Sequence, residues 1–253
     1  MINTEALRTI LADQREEIES LDINTFYPRE EEASIDLQSP LAQIVIGVRR
    51  SGKSTLCVKV LKQSGVIFAY VNFDDERMSM VTVDDLNTVL ESAYIVYGKF
   101  THLFLDEVQN VDGWHLFVNR LLRTGMHLVI TGSNAKLLSG ELATHLTGRC
   151  HTIELFPLSF SEFCLSMGIN TQSETTTARA AIKQALLEYL GQGGFPELKH
   201  IKQPGRYTTE LKNAIISRDI LTRFQIRNPK SMHDLANLLI AQYCQEINTP
   251  AIA

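Results

Sequence analysis

The chain has 253 residues, of which 44% are hydrophobic and 21% are charged, and its net charge is −5. This composition is typical of a soluble globular protein. The negative charge excludes a global basic field that would attract nucleic acid, although it does not exclude a local basic face. The four cysteines form no C-x-x-C pair and the seven histidines show no ligand spacing, which indicates idle or buried side chains in a reducing compartment.

The N-terminal part predicts a helix over residues 3–20, because Leu7, Ile10, Leu11 and Ile18 fall on one side of it. A loop and a short helix follow, so we assign residues 1–40 to an N-terminal helical extension. The start of the chain carries acidic residues and no apolar core of the signal-peptide type, and no run reaches membrane-spanning length. We therefore expect a soluble, cytoplasmic protein.

The most informative stretch lies between a short apolar strand, residues 43–46, and a helix that opens at Thr55. It fits the phosphate-binding pattern G-x-x-x-x-G-K-[ST] at every fixed position. A chance match somewhere in such a chain has a probability of about 1%. The residues of this phosphate loop are Gly47, Val48, Arg49, Arg50, Ser51, Gly52, Lys53 and Ser54. Glycines and a helix N-terminus present backbone N–H groups to phosphate oxygens, so we predict a nucleotide site.

Two side chains of the loop have separate predicted roles. Lys53 would reach the β- and γ-phosphates, and the hydroxyl of Ser54 would contact Mg²⁺. A buried strand is predicted over residues 66–73 and a helix over residues 83–97.

The next predicted strand, residues 102–105, ends in Asp106 and Glu107. A P-loop nucleotidase places such a pair opposite its phosphate loop. There, the first carboxylate supports the metal shell and the second polarises the attacking water. Many buried strands end in an acidic turn, so the Asp-Glu pair alone is weak evidence for a catalytic role. The phosphate loop about 50 residues earlier makes that evidence strong.

Polar residues at the next two strands are further candidates. Ser133 and Asn134 follow the strand at residues 127–131 and are placed to sense the γ-phosphate, although a plain strand-to-helix turn explains them too. Arg149 precedes the last strand, residues 150–155. It could stabilise charge on the γ-phosphate, in cis or in a neighbouring subunit, and an ordinary surface arginine is an equal interpretation.

The remainder of the chain is mainly helical. A capping box at Ser159 predicts a helix over residues 159–167, and the polar stretch 171–177 is the best internal boundary. Helices are predicted over residues 178–190, 205–224 and 230–246. A modest basic edge is suggested by Arg218, Arg223, Arg227 and Lys230, with solvated helix charges as the default interpretation.

Several motifs, taken in order, resemble the AAA+-like prokaryotic ATPases. This family is akin to the archaeal and STAND-type ATPases, and its members often carry a C-terminal nuclease-like domain. The motifs are the phosphate loop, Leu105–Gln109, Thr131–Asn134, Leu137–Gly140, Gly148–Arg149, Leu155–Phe163 and Gly193–Glu197. The resemblance implies ATP rather than GTP as the nucleotide. It also implies an ATP-binding core, a helical lid and a winged-helix segment, of which this chain holds only the start.

We therefore predict an α/β fold whose P-loop core has a five-stranded, mainly parallel sheet flanked by helices. The core spans residues 41–170, the lid 171–229 and the incomplete winged helix 230–253. The expected function is Mg²⁺-dependent ATP hydrolysis that drives a conformational change. The alternative is a nucleotide-gated switch with little turnover. Contact with DNA through the helical part, an unidentified protein partner and a homo-oligomer are further hypotheses, and no membrane partner is expected.

Overall fold

The structure is a computed structural model that describes residues 3–133, 146–221 and 224–242. The chain divides into two compact units, Met1–Glu197 and Leu198–Ala253. The first unit holds the sheet and the phosphate loop, and the second is helical where it is described. The lid and winged-helix boundaries inferred from the sequence stay predictions.

A five-stranded sheet forms the centre of the first unit, in the order β2-β3-β4-β1-β5. Every strand pair is parallel. The strands are β1 Ala42–Gly47, β2 Phe68–Asn72, β3 His102–Asp106, β4 His127–Ser133 and β5 Cys150–Glu154. The predicted parallel sheet is confirmed. Since β4 lies between β1 and β3, the ends of all three strands meet at one edge.

Helices connect and cover the strands. They are α1 Thr4–Ser20, α2 Lys53–Ser64, α3 Leu86–Tyr97, α4 Trp114–Arg123, α5 Phe160–Ser166, α6 Thr176–Gln192, α7 Pro204–Ala214 and α8 Pro229–Ala241, with a π-helical segment at Ile215–Leu221. The predicted capping box at Ser159 is confirmed, and a second cap lies at Asn3. Asn3 accepts hydrogen bonds from the first turn of α1, and Ser159 forms a capping box with Glu162 at α5.

Apolar side chains pack on both faces of the sheet, because neighbouring residues of a strand point to opposite sides. Ile44 and Leu105 belong to one buried cluster, together with Leu7 and Leu11 of α1. Val45 and Phe104 belong to a second cluster with residues of α2. Burial on both faces fixes the register of the strands, so the position of each strand end is set by the core.

The second unit contains α7, the π-helical segment and α8. Lys212 of α7 donates a hydrogen bond of 2.8 Å to Asn237 of α8. Residues 134–145, which include the Leu137–Gly140 motif, lie outside the described residues. In the ranges that the structure describes, no helix is long and apolar enough to cross a membrane.

Candidate functional site: the phosphate loop and its carboxylates

The phosphate loop leads from the end of β1 into the first turn of α2. Two of its residues have left-handed backbone, Arg50 with φ 69° and Gly52 with φ 94°. At Gly47 a Cβ would lie 2.1 Å from the carbonyl oxygen of Leu155, so only glycine fits there. The loop thus curves back over the N-terminus of α2, where unpaired N–H groups and the helix dipole favour an anion.

Side chains of the loop and of β3 meet around one cavity of about 330 Å³. This phosphate-side cavity lies at the carboxyl ends of the strands. The predicted site residues that line it are Arg49, Arg50, Gly52, Lys53, Ser54, Thr55, Asp106 and Glu107. Gly47, Val48 and Ser51 belong to the same loop, and the side chain of Ser51 is buried.

Asp106 is buried and accepts hydrogen bonds from three hydroxyl groups. Ser54 Oγ lies 2.9 Å from Asp106 Oδ1, and Tyr70 OH lies 2.9 Å from Oδ2. Thr131 Oγ1 also donates to Oδ1. Burial raises the pKa of the Asp106 carboxyl, and the three donors and the charge of Lys53 oppose that rise. The result is a carboxylate held beside the hydroxyl of Ser54.

Glu107 has left-handed backbone, with φ 54°, and its carboxylate lines the same cavity. Its N–H donates to Thr131 Oγ1 at 3.3 Å, and its side chain accepts a short hydrogen bond from Gln109. Burial raises the pKa of Glu107, and nearby Lys53 partly offsets that effect. A carboxyl with a raised pKa at a cavity wall is suited to accept a proton near neutral pH.

Lys53 places a buried ammonium between the loop and Glu107. Its Nζ donates to the carbonyl oxygen of Val48 at 3.2 Å and lies 3.9 Å from Glu107 Oε1. The side chain is only 5% exposed. A charge held in so dry a position interacts strongly with any anion that enters the cavity.

Two arginines at the rim of the cavity are paired with acidic side chains. Arg49 lies 3.2 Å from Asp74, and Arg50 lies 2.7 Å from Glu197. All four side chains are partly exposed, so water screens these pairs and each contributes little to stability.

A second, smaller cavity of about 60 Å³ adjoins the phosphate-side cavity. Gly52, Thr55 and Pro196 line both. The other residues around this base-side cavity are mostly apolar or come from the N-terminal extension, and are Phe26, Tyr27, Arg29, Leu56, Lys59 and Leu158.

The remaining predicted residues lie elsewhere. Ser133 pairs with Gly47 in the sheet, which brings its backbone to the start of the phosphate loop. Its side chain and Asn134 lie outside the described residues, so their sensing role stays a prediction.

The cis, trans and surface interpretations of Arg149 stay predictions, and the position of Arg149 in the sheet disfavours the first of them. The carbonyl of Arg149 accepts a hydrogen bond from the N–H of Ala42, the first residue of β1. Five residue steps of β1 separate this point from Gly47, or about 17 Å at about 3.3 Å per residue. An arginine side chain is shorter than that distance, which disfavours the cis interpretation.

Three further residues contact the phosphate loop or Asp106 without being marked by a local sequence pattern. Tyr70 and Thr131 both donate to Asp106, yet Tyr70 resembles a core aromatic residue. Thr131 is the first residue of the Thr131–Asn134 motif, in which Ser133 and Asn134 are the predicted site residues. Arg29 contacts the phosphate loop from 22 residues away, and no local pattern marks it.

A parallel sheet with a glycine-rich loop at a helix N-terminus, and an Asp-Glu pair facing that loop, defines the P-loop nucleotide-binding class. Residues 39–164 match the family model described as an AAA domain. Through this domain the chain belongs to the AAA+-like P-loop ATPases.

Two curated relatives extend the match beyond that domain. An uncharacterized protein of Methanocaldococcus jannaschii is 38% identical over 216 residues, which cover 83% of this chain and 49% of that protein. An uncharacterized protein of Haemophilus influenzae is 31% identical over 221 residues, covering 83% of this chain and 54% of that protein. The chain spans about half the length of these curated relatives.

Solved structures with a similar fold are more distant. AMPPCP-bound DnaA from Aquifex aeolicus matches with a TM-score of 0.39 and 16% identity, covering 91% of this chain and 85% of that one. The RuvB Holliday junction branch migration motor of Thermotoga maritima matches with a TM-score of 0.45 and 15% identity, covering 88% and 73%. Similarity at this level adds nothing to the family assignment.

Proposed function

We propose that this protein binds ATP with Mg²⁺ and hydrolyses it to ADP and phosphate, and that the reaction drives a conformational change. The observation that carries the proposal is the phosphate-side cavity. One cavity joins a helix N-terminus, a buried ammonium, a hydroxyl–carboxylate pair and a second carboxylate with a raised pKa. These are the groups that phosphoryl transfer to water requires.

The triphosphate is proposed to lie along the phosphate loop. Backbone N–H groups of residues 48–55 would contact the phosphate oxygens, as they do in loops of this shape. Lys53 would contact the β- and γ-phosphates, because its Nζ already lies inside the cavity, held by the carbonyl of Val48. A phosphate that draws Lys53 toward itself weakens the contact of Lys53 with Glu107.

The donor set fits Mg²⁺, which prefers hydroxyl, carboxylate and water oxygens. Ser54 Oγ and Asp106 Oδ1 lie 2.9 Å apart, and both residues line the phosphate-side cavity. Ser54 would bind the ion directly and Asp106 would hold its water shell. When bound, the ion neutralises charge on the β- and γ-phosphates.

Glu107 is the proposed base. It would orient the attacking water and accept its proton, and its buried carboxyl favours the protonated product state. The hydrogen bond from Gln109 and the left-handed backbone hold the Glu107 carboxylate at the cavity wall. Ser133 and Asn134 are proposed to sense the γ-phosphate.

The nucleotide base is proposed to enter the base-side cavity. Its position next to Gly52 and Thr55 is where a base would lie if the triphosphate follows the loop. Aromatic residues Phe26 and Tyr27 from the N-terminal extension are among its lining residues, and planar bases pack well against such side chains. The preference for ATP over GTP rests on family resemblance alone.

A nucleotide-gated switch is a second candidate. The Arg50–Glu197 ion pair favours it, since a triphosphate entering the loop would compete with Glu197 for Arg50. Glu197 directly precedes the residues assigned to the second compact unit. Binding alone could then alter the chain without turnover. Contact with DNA or a protein partner, a homo-oligomer and a cytoplasmic location remain proposals.

Phosphate release from ATP·Mg²⁺ tests the proposal, with Lys53→Ala, Glu107→Gln and a control beside the wild type. Lys53→Ala should lose ATP binding, because the buried ammonium is removed. Glu107→Gln should bind ATP and turn it over roughly 10²-fold more slowly. Lys62→Ala alters a half-buried lysine of the same helix, which bonds the carbonyls of Glu19 and Leu21 rather than a residue of the phosphate-side cavity. Its activity should equal that of the wild type.

The possible outcomes separate the two candidates. ATP binding without phosphate release at any protein concentration would contradict hydrolysis and leave the switch. Absence of ATP binding by the wild type would contradict both.

A further inference from the structure

We propose that Arg29, in the N-terminal extension, is a positioning residue that sets the direction of the Gly52 N–H group in the phosphate loop. The inference rests on the proposed function, because it assigns Arg29 to the same site. Nothing in the phosphate-loop motif predicts it, since Arg29 lies outside that pattern.

The guanidinium of Arg29 joins three separate segments. Nη1 donates to the carbonyl of Ser51 at 2.9 Å, and Nη2 donates to the carbonyl of Phe156 at 2.6 Å. Nε donates to Glu162 Oε1, also at 2.9 Å. The side chain is 5% exposed. Charge-assisted hydrogen bonds in so dry a position are strong, and all three directions of the planar guanidinium are used.

Of the three hydrogen bonds of Arg29, which we call the Arg29 clamp, the one to the carbonyl of Ser51 acts on the phosphate loop. A trans peptide is planar, so its C=O and the N–H of the next residue point in opposite directions. When the Ser51 carbonyl faces Arg29, the N–H of Gly52 must face the other way. Gly52 lines the phosphate-side cavity, and its N–H belongs to the group proposed to bind phosphate.

The local backbone makes such a clamp useful. The Ser51–Gly52 peptide leads directly into Gly52, which has positive φ, as does Arg50 one residue before Ser51. Glycine adopts either sign of φ at little cost. Without an external partner for the Ser51 carbonyl, this peptide could rotate and turn the Gly52 N–H away. Ser51 N–H bonds Val48, which constrains only the preceding peptide.

Because Glu162 neutralises the charge of Arg29, we infer that Arg29 affects phosphate binding through the geometry of the loop and not through its charge. Its carboxylate accepts the N–H groups of Ser159 and Glu30 as well as Arg29. Burial alone would raise the pKa of Glu162, but these hydrogen bonds lower it below its usual value. The carboxylate is therefore charged and balances Arg29, which leaves little positive charge for a distant phosphate.

The experiment measures binding of tripolyphosphate and of ATP by calorimetry, using the full chain. Tripolyphosphate carries no base, so it reports on the loop alone. Arg29→Met should weaken the binding of both ligands by the same factor, about tenfold. Arg15→Met is the matched control, because Arg15 also donates to a main-chain carbonyl, that of Val96, and to a carboxylate, that of Glu19. It should change neither affinity by more than about twofold.

Two further variants separate positioning from general stability. Glu162→Gln leaves the bond from Arg29 to Ser51 in place, so it should lower the melting temperature while tripolyphosphate affinity stays near that of the wild type. If Arg29→Met is unfolded by circular dichroism, Arg29→Lys replaces it, since a single ammonium cannot meet the three acceptors together. That variant should show the same tenfold loss for both ligands.

The outcomes distinguish this inference from the proposed function. If the wild type binds neither ATP nor tripolyphosphate, the proposed function fails and this inference fails with it. If the wild type binds both and a folded Arg29 variant binds tripolyphosphate equally well, only the positioning role is overturned. A loss of ATP binding without a loss of tripolyphosphate binding would also overturn it, and would assign Arg29 to the base-side cavity.

Discussion

Polar side chains form different kinds of hydrogen bond at the two ends of the parallel strands. We call these ends of the sheet the carboxyl edge and the amino edge. At the carboxyl edge, Asp106 gathers hydroxyl groups from α2, β2 and β4, namely Ser54, Tyr70 and Thr131. These bonds run between side chains, and they surround a cavity lined by Lys53. The segments that supply them are far apart in sequence.

At the amino edge, the polar side chains bond mainly to backbone. His102 contacts the carbonyl of Leu37 at 2.9 Å, and His127 contacts the carbonyl of Ser39 at 3.2 Å. The two imidazole rings stack with their centroids 4.8 Å apart. They hold the segment before β1 against the sheet.

The difference teaches how to separate structural polar groups from functional ones in this fold. A polar side chain that donates to a neighbouring carbonyl gives the backbone of a loop a hydrogen-bond partner, which is a structural role. A carboxylate held only by other side chains at a cavity wall costs free energy to bury. Such buried carboxylates cluster at functional sites.

The largest effect is expected for Arg149, at the amino edge. It lines an open cavity of about 700 Å³ with Arg120 and Arg123, and the residues described around this cavity include no carboxylate. We expect Arg149 to act in trans on the nucleotide of a neighbouring copy. Arg149→Ala should then retain ATP binding and lose roughly 10³-fold in phosphate release.

Mixing variants tests whether Arg149 acts in trans. Arg149→Ala and Lys53→Ala should each be inactive alone. An equimolar mixture should regain part of the activity, because the intact phosphate loop of one variant meets Arg149 of the other. Unchanged activity of Arg149→Ala alone would leave Arg149 as an ordinary surface residue.

The next effect concerns Tyr70, one of the hydroxyl donors at the carboxyl edge. Tyr70→Phe removes a bond to the buried Asp106 carboxylate, so the free energy of unfolding should fall by about 1.5–3 kcal/mol. Tyr97→Phe is the control, since its hydroxyl donates to the neutral carbonyl of Tyr70 at 3.0 Å. It should cost about 0.5–1.5 kcal/mol. Urea unfolding at constant pH measures both, and equal losses would contradict a charged Asp106.

Local sequence patterns predicted the main elements of the candidate site. The phosphate loop, the Asp106–Glu107 pair and the parallel strands each depend on residues close together in the chain, and the structure contains all three elements. The placement of Arg149 could also have been inferred. A residue that precedes a parallel strand lies at the amino edge, opposite a loop that follows one.

The residues that complete the site depend on long-range pairing, and sequence patterns do not reveal that. Tyr70 meets Asp106 across 36 positions, and Arg29 meets Glu162 across 133. Each side chain has an ordinary local explanation, as a core aromatic residue or a loop charge. Only the register of the strands and the packing of the N-terminal extension bring them to the cavity.

The smallest effect is a pH dependence from His102 at the amino edge. Burial lowers the pKa of His102, the bond to Leu37 opposes this, and His127 lowers it further. The unfolded chain, with a histidine pKa of about 6.5, therefore binds a proton more readily than the folded chain. Stability contributed by neutral His102 is complete above about pH 6.5 and is lost as the pH falls below it, by at most about 1.4 kcal/mol per pH unit.

Urea unfolding between pH 7.5 and 5.5 measures this slope in the wild type, in His102→Gln and in His151→Gln. Glutamine at position 102 keeps a donor for the Leu37 carbonyl but does not titrate, so the slope should become shallower. His151 is exposed, so His151→Gln is the control for replacing a histidine outside the stacked pair. If His102→Gln retains the full acid sensitivity of the wild type, the stacked pair is not its source. The structural assignment of the amino edge would then rest on the backbone contacts alone.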